Sequence, residues 1–115
     1  MQDRFYVGHI ASHKLKLTYL ERGNPDGPVM IFLHGLNDHC RTFDELIEPF
    51  INDYRIVTPD LRGHGDSEWT KGVGYDLLDY LYDLHRLVLD LELAPVTLVG
   101  HSLGCLIYTS DAADE

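Results

Sequence analysis

A chain of 115 residues, 44% apolar and 24% charged, is long enough for one domain with a substantial core and has the composition of a globular protein. Its net charge of −10 argues against non-specific nucleic-acid binding, which needs a basic surface. The two cysteines, Cys40 and Cys105, form no metal-binding or disulfide pattern, and no apolar run approaches membrane-spanning length, so a cytoplasmic protein with no membrane partner is expected.

In chain order, Arg4–Ala11 and Lys14–Leu20 read as two strands of an antiparallel hairpin. The second alternates, with Leu15, Leu17 and Tyr19 on one face and Lys14, Lys16 and Thr18 on the other, which predicts one wet face. A turn cluster, Gly23-Asn24-Pro25-Asp26-Gly27-Pro28, leads to Val29–Leu33, a continuous apolar run expected of a strand buried on both faces. Phe43, Leu46, Ile47, Phe50 and Ile51 recur at helical spacing and predict a helix over Thr42–Ile51. Tyr54–Val57 is the next strand, and Gly63, Gly65, Gly72 and Gly74 mark a loop. Asp76 can cap a long helix running to about Leu93, with an apolar stripe of Leu77, Leu81, Leu84, Val88 and Leu91. Val96–Val99 is the last strand. Two strands followed by β-α-β-α-β call for a mostly parallel α/β sheet with right-handed crossovers.

Three motifs follow predicted strands. They are His34-Gly35-Leu36-Asn37, then Asp60-Leu61-Arg62-Gly63-His64-Gly65-Asp66-Ser67, then Gly100-His101-Ser102-Leu103-Gly104. The last has the G-x-S-x-G form of a tight strand-to-helix turn that leaves a serine hydroxyl standing free, with small flanking residues keeping neighbouring atoms away. In order and spacing the three together resemble the landmarks of the α/β-hydrolase family, over roughly Val7–Gly104.

That resemblance implies a three-layer α/β sheet in strand order 1-2-4-3-5, cut off after the serine turn. Residues 1–104 are then the N-terminal part of a hydrolase domain. It implies Ser102 as nucleophile, with the backbone N–H groups of Leu36 and Leu103 as oxyanion donors and His34, Gly35, Gly100 and Gly104 in support. His34 is a loop brace in this reading rather than the base, and His101 a wall residue that points away from the reaction. Asn37, Trp69 and His101 are candidates for the mouth of a small-molecule site. The triad acid and histidine follow the serine in family order, which places both beyond this chain. No cofactor is implied. His34, His39 and Cys40 lack a recognised metal spacing, so no metal is expected, and no phosphate loop supports a nucleotide site. The implied activity is cleavage of an ester-like bond through an acyl-enzyme. A non-catalytic binding protein on the same fold, or a serine-dependent lyase or C–C hydrolase, stays open beside it. After Gly104 the chain turns polar. Thr109–Glu115 could not continue a buried helix face and resembles a translated sequencing adapter, so residues 105–115 are expected to be a non-native tail.

Overall fold

In the computed structural model, which describes residues 5–70 and 74–107, five strands form one sheet in the order β1-β2-β4-β3-β5. The strands are β1 (Phe5–Ser12), β2 (Leu15–Gly23), β3 (Val29–Leu33), β4 (Arg55–Pro59) and β5 (Val96–Gly100). β2 runs antiparallel to both of its neighbours, whereas β3 runs parallel to β4 and to β5. The β1–β2 hairpin turns on His13 and Lys14, both at positive φ (46° and 68°), the twist that two-residue hairpin turns require.

Alternation along β3 divides the core. Ile31 and Leu33 point to one face, where Val57, Leu61, Tyr80, Leu81, Leu84 and Leu87 join them under the helix α1 (Leu77–Asp90). Met30 and Phe32 point to the other, where Phe43, Ile47 and Ile51 cover them. The result is the three-layer arrangement expected from the sequence.

Three local expectations are corrected. The helix predicted over Thr42–Ile51 is instead two short 3₁₀ segments, Cys40–Phe43 and Glu48–Phe50, joined by a turn. Pro49 has no N–H to donate to Glu45, so an α-helical ladder cannot run through this segment, although its apolar side chains still reach the core. The face of β2 predicted to be wet is covered from Thr18 onward. Thr18 N–H donates to Ser67 Oγ at 2.8 Å, and buried Arg22 pairs with Asp44 at 2.8 Å. Only Lys14 and Lys16 keep that face in water.

The helix α1 stops at Asp90, and Glu92 at φ 52° turns the chain away before Leu93. Its buried face is Tyr80, Leu81, Asp83, Leu84 and Leu87, while Leu77 is exposed. The predicted stripe is rotated because Asp83 lies inward. Arg62 Nε and Nη2 donate to the Asp83 carboxylate at 2.6 and 2.7 Å, Arg62 Nη1 donates to the Gly74 carbonyl at 2.8 Å, and the Ser12 hydroxyl donates to Asp83. All three side chains are buried.

Removing one member of a buried pair strands the other charge. Asp83→Ala is therefore expected to destabilise the fold by about 3–5 kcal/mol, read from the urea midpoint, whereas an apolar pair at 62 and 83 is expected to recover most of that. A single-variant loss below about 1 kcal/mol would mean that water reaches Arg62.

Candidate functional site

The loops that leave β3, β4 and β5 emerge at the carboxyl end of the parallel strands, on neighbouring strands. After β3 comes His34, which is fully buried. Its Nε2 accepts the Leu61 N–H at 2.9 Å, so the ring proton belongs on Nδ1, which donates to the Gly35 carbonyl at 2.7 Å. Burial lowers the His34 pKa below the ordinary histidine value, and the nearby His64 acts in the same direction, which favours this neutral form. Asp38 N–H donates to the same Gly35 carbonyl at 3.2 Å, and Asn37 takes φ 62° to close the turn. Leu36 at its tip is 63% exposed.

After β4 comes Asp60, also buried. Its two carboxylate oxygens accept the Cys40 N–H at 2.8 Å and the Asp66 N–H at 3.0 Å. Ser67 Oγ donates to its carbonyl at 2.6 Å, which ties the glycine-rich loop to itself. The His64 ring packs against His34 with centroids 5.0 Å apart. Burial, with Asp60 alongside, pushes the Cys40 thiol up to about 12, so this cysteine is protonated and inert at neutral pH.

After β5 the chain turns sharply. His101 N–H donates to the Leu33 carbonyl at 3.0 Å, Ser102 takes φ 56°, and a helix opens over residues 103–107. A serine in the left-handed region is strained by roughly 1–2 kcal/mol. The flanking glycines show why the strain persists. A Cβ on Gly104 would stand 2.2 Å from the Leu33 carbonyl oxygen, and one on Gly100 would stand 2.6 Å from the Gly104 backbone. Gly35 closes the site from the β3 side, where a Cβ would stand 3.0 Å from His101 Nδ1 and 3.1 Å from Ser102 Cβ.

Ser102 is exposed, and its hydroxyl makes no hydrogen bond among the described residues. The N–H groups of Leu36 and Leu103 likewise donate to nothing among the described residues. The fold thus brings together His34, Gly35, Gly100, His101, Ser102 and Gly104.

It does not bring Trp69 to them. Glu68 N–H is tied to the Lys16 carbonyl on β2, three strand spacings (about 14 Å) from β5, and Trp69 beside it is 76% exposed. A cavity of about 300 Å³ between Thr18, Cys40, Asp60 and Asp66 does not include Ser102 in its walls. Sequence reasoning missed the links from His34 to Leu61 and from Asp60 to Cys40, because each joins loops distant in the chain. The one available signal was an unexplained Asp opening the second motif. No cluster of three or more metal-ligating side chains occurs among the described residues. No helix among them is long and apolar enough to cross a membrane. Residues 108–115, which carry most of the expected non-native tail, and Gly72 of the glycine-marked loop lie outside the described residues. Ile107, at the start of that tail, is fully buried in the core under α1.

Known proteins resemble this chain in sequence and in shape. It is 36% identical over 95 residues to the magnesium-chelatase 30 kDa subunit of Rhodobacter capsulatus, covering 83% of this chain and 34% of that protein. It is 37% identical over 94 residues to a 3-hydroxybutyrate-oligomer hydrolase of Cupriavidus necator, covering 80% of this chain and 32% of that protein. An α/β hydrolase from Novosphingobium aromaticivorans superposes with a TM-score of 0.90 at 28% identity, over 100% of this chain and 41% of that one. The chain thus spans about a third of the length of the two curated relatives. The sequence profile of the alpha/beta hydrolase fold matches residues 28–114, and with the sheet order and the strained serine turn already described, the chain belongs to the α/β-hydrolase fold family.

Proposed function

We propose that a protein carrying this chain, together with the further part of the fold that its relatives possess, is a cytoplasmic serine hydrolase of small molecules. It would cleave an ester-like bond: a carboxylic ester, lactone, thioester or amide. The observation that carries this reading is Ser102, held exposed at φ 56° near two N–H groups that donate to nothing among the described residues. A hydroxyl so placed can attack a carbonyl whose oxygen the Leu36 and Leu103 N–H groups receive. The Ser102 Oγ–carbonyl bond forms and the bond to the leaving alcohol, thiol or amine breaks. The serine proton passes through a base to that leaving group, and water then releases the acyl group by the same route. The acid and base follow Ser102 in family order and are supplied by the further part of the fold, so this chain alone is expected to be inactive. The hydrolase named among the relatives favours this reading.

A second reading, a non-catalytic binding protein on the same fold, is favoured by the magnesium-chelatase subunit, whose name states no hydrolysis. The two separate on a serine-directed fluorophosphonate and a short activated ester. The longer protein is expected to take one phosphonyl group, on the peptide containing Ser102, and to lose ester turnover in step. An unlabelled Ser102 in a protein that binds small molecules but turns over no ester would establish the second reading. Cleavage of a C–C bond without ester turnover would move the reaction class.

A further inference from the structure

We propose that His34 is a positioning residue that aims the Leu36 N–H at the reacting carbonyl by holding the opposite end of the same peptide group. The inference rests on the hydrolase reading above and assigns His34 a specific task within it. In a trans peptide the carbonyl of one residue and the N–H of the next lie in one plane and point opposite ways. Whatever fixes the Gly35 carbonyl therefore fixes the direction of the Leu36 N–H.

Among the described residues two donors hold that carbonyl, and His34 Nδ1–H is the closer, at 2.7 Å against 3.2 Å for Asp38 N–H. The ring is itself held at its far end, where Nε2 accepts the Leu61 N–H at 2.9 Å. Turning the ring over would put carbon atoms at both positions and leave the buried Leu61 N–H unpaired, which costs roughly 1–3 kcal/mol. His64, packed on the ring at 5.0 Å, closes one of its faces.

The imidazole thus joins the loop after β4 to the loop after β3, and the peptide it holds carries an N–H that donates to nothing among the described residues. The Gly35 end of that peptide also faces the nucleophile, since a Cβ on Gly35 would come within 3.1 Å of Ser102 Cβ.

Two substitutions separate aiming from bracing. Asn at 34 can place its amide N–H near the Nδ1 position and keep the bond to Gly35, but it is too short to reach Leu61. Gln at 34 can reach Leu61 but offers no donor to Gly35. In the longer protein, with a short activated ester, His34→Gln is expected to lower kcat about 10–100-fold while KM stays within about threefold. His34→Asn is expected to return kcat to within about fivefold of the parent even though it loses the Leu61 bond.

Equal losses in both variants, or losses that follow thermal stability, would overturn the aiming role. So would parental kcat in His34→Gln. Ester turnover that survives Ser102→Ala would overturn the hydrolase reading itself, and with it any role for Leu36. Should both variants fail to fold, nitrogen-15 NMR of the parent decides. A ring protonated at Nδ1 and coupled to the Gly35 carbonyl is expected, and a ring protonated at Nε2 would overturn the proposal.

Discussion

Ser102→Ala in the longer protein is expected to lower kcat for ester hydrolysis by about 10⁴–10⁶-fold while leaving the fold intact. The size of the effect follows from the loss of covalent chemistry. Without the hydroxyl only the oxyanion donors and substrate binding remain, and in well-studied serine enzymes these retain ~10³–10⁴ of rate enhancement over water. The fold survives because alanine suffers much the same strain as serine at φ 56°. A companion variant sharpens the test. Ser102→Gly removes the Cβ that makes this backbone costly, so it is expected to be as inactive as Ser102→Ala yet more stable by about 1 kcal/mol. Thermal unfolding and ester turnover measured on the pair check both halves. An active Ser102→Ala enzyme would remove Ser102 as nucleophile, and a less stable Ser102→Gly would remove strain as the feature of the turn.

Gly104→Val is expected to cost about 3–5 kcal/mol, a large part of the ~5–15 kcal/mol that holds a typical domain together. The obstacle is backbone rather than side chain. A Cβ at 104 would lie 2.2 Å from the Leu33 carbonyl oxygen, which already accepts the His101 N–H. Leu33 cannot retreat, because β3 is held by β4 on one side and by β5 on the other. The helix over residues 103–107 must therefore lift away and take buried Ile107 with it. Gly104→Ala is expected to show most of the same loss, since the collision is with the first side-chain carbon. Denaturant midpoints within about 0.5 kcal/mol of the parent would mean that the helix tolerates a displaced start.

The parts that were readable in the sequence are those whose physics is local. Val29–Leu33 announces a doubly buried strand by composition, and the G-x-S-x-G spacing announces a turn in which only small flanking residues fit. The parts that were misread depend on a partner far along the chain. Thr18 looks solvent-facing until Ser67 is folded onto it, and Asp83 looks like the polar edge of a helix until Arg62 and Ser12 converge on it. The segment around Pro49 failed for a different reason. Its apolar spacing was real, but the missing N–H of a single residue outweighed the pattern. At the site, the sharp turn at Ser102 was readable, whereas the bond from Leu61 to His34 joins residues that only the parallel pairing of β3 and β4 brings together.

That pairing pattern also bears on the order in which the molecule assembles. Within the sheet, β1 and β2 meet across a two-residue turn, while β5 reaches β3 only by pairing residue 96 with residue 29. Contacts so distant in sequence carry the largest loop-closure cost and form late in folding. The strained serine turn is imposed by that least local of the strand pairings. A nascent chain would therefore carry Ser102 in a relaxed conformation through most of its folding, and would acquire the strained, exposed turn only when the final strand docks.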